Sequence, residues 1–384
     1  MKKVYFDNAA TTQLREDVIT CITEVLKVEY GNPSSTHSYG RSAKSLLENA
    51  RKDIAKLLNV SASEIIFTSG GTEADNLILN SAVRDLGVKR IITSKIEHHA
   101  VLHTVEWLEK NNNIQVEYVS LDDCGEIDYD GFEKLLTNSD KKTLVSLMHV
   151  NNEIGNVLDI DKVANLCKTH NTLFHSDTVQ SVGHFELDFT ETPVDFAAAA
   201  AHKFHGPKGA GFAFVRKNSG LRSLIHGGEQ ERGLRAGTEA VYAIAGMAEA
   251  LKISYHKLEK ERKYITELKD YFKEQLTFNF PEVKFNGNCD KNESSTYTLL
   301  NVCLPITAEK AMLLLFQLDL KGIACSKGSA CQSGSEGGSH VLNQILSKED
   351  LSKPSLRFSF SSFNTKEEVD YVVDVLKDFI DNGI

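Results

Sequence analysis

No run in this 384-residue chain approaches the ~20 apolar residues that a membrane span requires, and the opening MKKVYFDNAATT has two lysines but no apolar core of signal-peptide length. A cytoplasmic protein that stays out of membranes is therefore expected. Positive charge is also short. The 43 Lys and Arg against 53 Asp and Glu leave a formal net charge of −10, which argues against a nucleic-acid footprint. Seven cysteines, at 21, 124, 167, 289, 303, 325 and 331, are scattered and odd in number with no CxxC pair, so reduced thiols fit better than a disulfide framework. There is no internal repeat and no low-complexity tract. What is present is an ordinary globular composition, 41% hydrophobic and 25% charged, in a chain long enough for about two domains.

From Glu64 onward, short β-rich runs alternate with helical segments: EIIFTS, RIITSK, IQVEYVSL, TLVSLMHV, TLFHSD, DFAAAAA and GAGFAFV. This rhythm predicts an α/β fold. Most connections are long enough for a crossover helix. Between Ala201 and Gly209, however, only seven residues intervene, fewer than the ~12 a parallel crossover needs, so the last strand should run antiparallel. Residues 241–276, rich in Ala, Leu, Glu and Lys, read as one long helix or two abutting ones that bridge to a second domain. There TYTLLNVCLP, SLRFSFS and a closing helix with a Thr365–Glu368 capping box suggest a smaller α+β unit.

Ligands in open α/β sheets gather at the carboxyl ends of the strands. EIIFTS runs into GGTEADNLILN, where two glycines and Thr72 open a helix and offer N–H groups and a hydroxyl to a phosphate. A plain helix cap would look the same. TLFHSD ends on Asp177, and DFAAAAA is followed by His202 and Lys203, a pairing that an ordinary ion pair would also explain. Taken together, a phosphate cradle, an acid able to hold a pyridine nitrogen protonated and a lysine able to bond to an aldehyde are the three parts pyridoxal phosphate needs. The five alanines before His202 would let a flat ring approach the sheet. Lys208, in GPKG, is the competing amine, but its turn is expected to face solvent. His98, in SKIEHHAV, is placed to stack on the ring and shuttle protons. His99 and His103, spaced i, i+4, leave a metal alternative open, without a HExxH glutamate or nearby cysteine ligands to support it.

One more feature calls for a chemical reason. From Ser326 to Ser339, nine of fourteen residues are Gly or Ser, and Cys331 sits among them. Such a segment reads as a mobile arm carrying a reachable thiol rather than as a buried small hydrophobe.

YFDNAATT, GNPSSTH, FTSGGTEADN, SKIEHHAV, MHVNNEIG, HSDTVQSVG, HKFHGPKGAGF, ERGLRAGT, GSACQSGS and LRFSFS occur in the order and approximate spacing of the pyridoxal-phosphate cysteine desulfurases. Over nearly its whole length the chain resembles the branch with a long cysteine loop, which supplies sulfur for iron–sulfur clusters and tRNA thiolation. The resemblance implies fold type I of the pyridoxal enzymes: a large domain, 16–255, on a mostly parallel seven-stranded sheet, and a smaller α+β domain, 256–384, carrying the Cys331 loop, with residues 1–15 packed against it. It also implies a homodimer that converts L-cysteine to L-alanine, leaves the sulfur as a persulfide on Cys331 and hands it to an acceptor protein. Lys203 is then the lysine that bonds the cofactor, Asp177 the partner of its ring nitrogen and His98 the ring that stacks on it. Gln180 and Asn152 hold the phenolic-oxygen and substrate side, Gly71, Thr72 and His202 the phosphate, and Thr238 the phosphate of the other subunit. Arg357 clamps the substrate carboxylate.

Three departures from the pattern carry expectations of their own. Ala200 stands where many relatives have a phosphate-binding serine, so one hydrogen bond should be missing. FSSFNT replaces the usual LGRFTT after the arginine. With Ile384 soon after the closing helix, the C-terminal extension used by scaffold-binding relatives is expected to be missing. Cys325 is a second thiol near Cys331, expected to be a buried core cysteine. A cysteine thiol with pKa ~8.5 needs help to ionise at neutral pH, for which His98 and His340 are the candidates. Selenocysteine lyase or cysteine-sulfinate chemistry is the nearest rival activity. A non-catalytic sulfur relay is disfavoured by the joint presence of Lys203, Asp177, His98 and Arg357.

Overall fold

The computed structural model describes residues 2–327 and 338–382; Cys331 and most of its Gly/Ser arm lie outside them. Twelve strands are found among the described residues: β1 (Val4–Tyr5), β2 (Ile65–Thr68), β3 (Arg90–Thr93), β4 (Gln115–Tyr118), β5 (Thr143–Ser146), β6 (Leu173–Asp177), β7 (Phe196–Ala200), β8 (Gly211–Val215), β9 (Lys284–Phe285), β10 (Leu299–Cys303), β11 (Ile323–Ala324) and β12 (Ser355–Ser359). Seven of them form the central sheet in the order β2-β8-β7-β6-β5-β3-β4. Every neighbouring pair is parallel except those involving β8, which runs antiparallel to both β2 and β7. The short link after β7 leaves the chain no room for a crossover, so β8 must turn back.

Helices cover the sheet, and its two faces form separate apolar clusters, one around Phe174, Phe204 and Phe212 and the other around Ile78, Val101 and Phe196. The alanine tract gives β7 an almost smooth surface, and all five residues of the strand are buried. Helix Gly71–Leu86 can therefore lie close above it, with Ala74 and Ile78 in the same cluster as Ala198. Glycine is required where the backbones meet: a Cβ on Gly211 would stand 2.4 Å from Ala199 O and 2.6 Å from Gly70 Cα.

A second core lies around Phe6, Phe272, Phe358 and Phe360, whose rings pack edge-on or tilted at 5.0–6.4 Å. It covers the antiparallel sheet β12-β10-β9 and the parallel pair β1-β11. Helix Val241–Asn279 is continuous for 39 residues, burying Met247 and Leu251 against the large sheet and Leu268, Phe272 and Leu276 against the second core. The expected capping box is present ahead of helix Lys366–Asn382: Thr365 N–H donates to Glu368 Oε2 at 3.0 Å, and Glu368 N–H to Thr365 Oγ1 at 3.3 Å.

The edge strand β2 is covered by a loop held through a buried ion pair. Arg51 donates to both carboxylate oxygens of Glu231, at 2.6 and 2.8 Å, and its guanidinium lies 4.4 Å from the centre of the Phe67 ring. Glu231 in turn accepts the Phe67 N–H at 2.8 Å while its backbone sits at φ 49°. Both partners are buried, so removing one leaves a charge without compensation. Arg51→Ala should lower the unfolding free energy in urea by about 3 kcal/mol or more; a loss below about 0.5 kcal/mol would show that the pair does not anchor the loop.

Candidate active site

Strands β6 and β7 end side by side at a cavity of about 250 Å³. Of the eleven residues singled out from the sequence, nine line it: Gly71, Thr72, His98, Asn152, Asp177, Gln180, His202, Lys203 and Arg357. Thr238 is exposed and lies away from the cavity. Cys331 lies outside the described residues. Lys208 is exposed in its turn and does not line the cavity, so Lys203 is the amine at this site.

Asp177 closes β6 and is 4% exposed. Its Oδ1 accepts the Val179 N–H at 2.9 Å. Burial, with Asp75 adding repulsion, pushes the carboxyl up to about 7, and Lys203 pulls it down only in part. Such a group gains most from a cation brought against it. Lys203 follows β7 by one turn of 3-10 helix, and its Nζ donates to the carbonyls of Ala9 and Ala10 at 2.6 and 2.9 Å. Gln180 Nε2 reaches the same Ala9 carbonyl at 2.9 Å. The N-terminal segment YFDNAATT thus forms one wall, a contribution from residues ~190 positions away that no local pattern could reveal.

Opposite this wall, helix Gly71–Leu86 points its N-terminus into the cavity. A Cβ on Gly71 would lie 2.5 Å from Val179 Cγ2, so glycine lets the helix end close on the strand-end loop. That leaves free N–H groups and a positive dipole end at the rim, suited to a phosphate. Ala200 lies on the same wall with no side-chain donor to offer. His98 caps helix His99–Asn112, its Nδ1 accepting the Ala100 N–H at 3.1 Å. Burial first, then Lys203, pushes this imidazole down to about 4, so near neutral pH it is an uncharged ring with its proton on Nε2. His202 is likewise pushed down to about 4, chiefly by burial.

Arg357, on β12, is 1% exposed. Its Nη2 donates to Asp7 Oδ1 at 2.9 Å and its Nη1 to the Asn152 carbonyl at 2.7 Å. Asp7 was not singled out from the sequence, although it sits in a quoted motif. It holds the guanidinium plane in place and leaves the remaining N–H groups for a substrate carboxylate. Other groups frame the site. His99 stacks with His103 at 4.7 Å and lies tilted against His340 at 4.3 Å, and among the described residues no group of three or more His, Cys, Asp or Glu side chains is arranged to hold a metal. Cys325 is half-buried against the second core, and burial pushes its thiol up.

A buried carboxylate with one backbone donor, a nearby lysine, a helix N-terminus and a flat alanine floor fit pyridoxal phosphate. Asp177 would meet the ring nitrogen, Lys203 the aldehyde carbon, and Gly71 and Thr72 the phosphate. These are the parts of a fold type I pyridoxal enzyme. The chain belongs to the aminotransferase class-V family, which it matches over residues 4–372, and within it to the pyridoxal-phosphate-dependent cysteine desulfurases. It is 40% identical to the cysteine desulfurase IscS of Dictyoglomus turgidum, over 99% of this chain and 95% of that one. Among solved structures, a NifS-like protein superposes with a TM-score of 0.90 at 35% identity, covering 99% of both chains. A second, SspA in complex with cysteine, gives a TM-score of 0.82 at 29% identity, over 94% of this chain and 100% of that one.

The Arg357 geometry makes a substitution informative. Lysine keeps the charge but cannot bridge Asp7, the Asn152 carbonyl and a carboxylate in one plane. Arg357→Lys should lower kcat/KM for L-cysteine by roughly 100-fold while the cofactor absorbance is retained. An unchanged kcat/KM would remove Arg357 from the substrate site.

Proposed function

We propose that this protein is a cysteine desulfurase in which Cys331 takes the sulfur of L-cysteine as a persulfide and passes it to an acceptor protein in iron–sulfur cluster assembly or tRNA thiolation. The observation that carries the reading is the convergence of Lys203, Asp177 and the Gly71–Thr72 helix end on one cavity. In the reaction the Cys331 thiolate attacks the substrate sulfur. The new S–S bond forms, the C–S bond breaks with its electron pair left on carbon, and a proton completes the methyl group of alanine. Bound pyridoxal phosphate supplies the electron sink for that pair.

The chain's own residues do the rest. Arg357 orients the substrate carboxylate, Asn152 and Gln180 border the ring's substrate side, and neutral His98 stacks and moves protons through Nε2. His202 and Thr72 border the phosphate. His340, three residues past residue 337, has its Nε2 2.8 Å from the Glu97 carbonyl, which leaves Nδ1 to serve the arriving thiol.

The working unit in this reading is a homodimer. Leu26, Val28, Tyr30, Tyr39 and Tyr242 expose 44–73% of their surface on neighbouring helices and the loop between them. The Tyr30 and Tyr39 rings lie 5.2 Å apart within this apolar face, which suits burial against a second copy, with Thr238 reaching across. The two apolar cores suit a division into domains at 16–255 and 256–384. Free thiols at Cys21 and Cys124 suit a reducing cytoplasm.

Cys331→Ser should keep the cofactor absorbance and release neither sulfide nor alanine from L-cysteine above the enzyme-free control, because binding depends on Lys203 and Asp177 and cleavage on the thiolate. Substantial alanine formation by this variant would overturn the assignment of Cys331. Borohydride should fix the cofactor on Lys203, and fixation on Lys208 would mean the wrong lysine has been named.

A further inference from the structure

A chain of buried polar groups runs under the cavity and has no part in the roles assigned so far. His175 and Asp177 lie two apart on β6 and so point to the same face, on which helix Gly71–Leu86 packs. From that helix Asp75 reaches into the cavity wall beside Asp177. Asp75 is 0% exposed, and neither of its carboxyl oxygens accepts a hydrogen bond. Its Oδ1 lies 3.3 Å from His175 Nε2 without an aligned N–H pointing at it, and His175 Nδ1 is 2.9 Å from Ser146 Oγ. His175 and Ser146 are also 0% exposed.

A buried carboxylate that accepts no hydrogen bond is costly, and a second one next to Asp177 adds like-charge repulsion. The imidazole cannot serve as its counter-ion, because burial pushes His175 down to about 4. Glu97, also buried, is a third acid, on which Asp177 and Asp75 both act, and Lys203 is the cation that acts on Asp177. Adding a proton to Asp75 Oδ1 resolves the geometry. The acid then donates to His175 Nε2, and His175 Nδ1–H donates to Ser146 Oγ, so each member of the chain has a partner.

We propose that Asp75 is a positioning residue that stands in the cofactor cavity as a neutral carboxylic acid, held by His175 and Ser146, so that Asp177 is the single carboxylate facing the cofactor's ring nitrogen. Burial pushing Asp75 up to about 8 agrees with this state. The inference rests on the cofactor reading of the site, whose own success is scored separately by the pyridoxal absorbance. Asp75 touches neither substrate nor reacting atoms. Its effect passes through the charge on Asp177.

The test is infrared spectroscopy of the pyridoxal-loaded full chain carrying carbon-13-labelled aspartate, which separates protonated aspartate from Glu97. At pH 7 the wild type should show a labelled protonated-carboxyl band that Asp75→Asn lacks, with cofactor absorbance present in both. The band should fade as the pH is raised toward 9. A band unchanged in Asp75→Asn, or a wild-type spectrum with labelled carboxylates only, would overturn the proposal. Should Asp75→Asn fail to fold, His175→Gln decides: a shift of the band supports the proposal, because the acid's acceptor has changed, and an unmoved band overturns it. An Asp75 that stands as an ionised carboxylate would give none of these signals.

Discussion

The buried Asp177 carboxylate is the constraint around which the cavity is organised. Taking a carboxylate out of water costs several kcal/mol unless an opposite charge or donors replace the lost solvent. Here one backbone N–H and the field of Lys203 offset only part of that cost, which is why the group is pushed up to about 7. In the proposed site, a pyridine nitrogen becoming cationic against Asp177 would remove the penalty, so cofactor binding and the stability of this wall would be the same free energy seen from two sides. The same acid would there stabilise positive charge on the ring, the property that makes the ring a sink for electrons.

Placing that acid beside Lys203 is a backbone achievement. Parallel pairing of β6 with β7 sets Asp177 opposite Ala198 and lets Lys203 emerge one short turn beyond Ala200. Alanine along β7 and glycine at 71 and 211 remove side chains where the helix end, the strand ends and the ring must share space; any Cβ at those glycines would lie inside normal contact distance. The N-terminal segment then supplies what the sheet cannot. The carbonyls of Ala9 and Ala10 receive the Lys203 ammonium, and Asp7 receives Arg357. The segment belongs to the packing of the second core through Phe6, so the lysine of one core and the arginine of the other are set relative to each other by the same few residues.

Much of this was legible in the sequence, for identifiable reasons. The alternation of strands and helices marks where strands end, and chemistry at strand ends is local in sequence, so Asp177, His202 and Lys203 could be picked out from their own neighbourhoods. The antiparallel β8 followed from counting the residues in one connection. Gly71 and Thr72 announced a helix start. Asp7 and the two alanine carbonyls did not announce themselves, because their partners lie ~190 to 350 positions away and a carbonyl has no side-chain signature. Arg357 and Asn152 were reachable only through the family resemblance. Asp75 was within reach: it is four residues beyond Gly71, hence on the same helix face as the phosphate end, and that spacing went unused.

The residues that flank the Cys331 arm on both sides are tied to groups at or beside the cavity. Before it, Ser326 pairs through its backbone with Arg357, at 2.7 and 3.2 Å, and its hydroxyl donates to Asp7 at 2.7 Å. After it, Ser339 donates to Glu153, and His340 meets the Glu97 carbonyl next to His98. Cys331 is five residues from Ser326, which allows at most ~17 Å of extended chain from the Ser326–Arg357 pairing. In the proposed function, capture of sulfur inside and delivery outside impose opposite demands on Cys331, and a tether whose flanking residues are held at Ser326 by Arg357 and at Ser339 by Glu153 suits both.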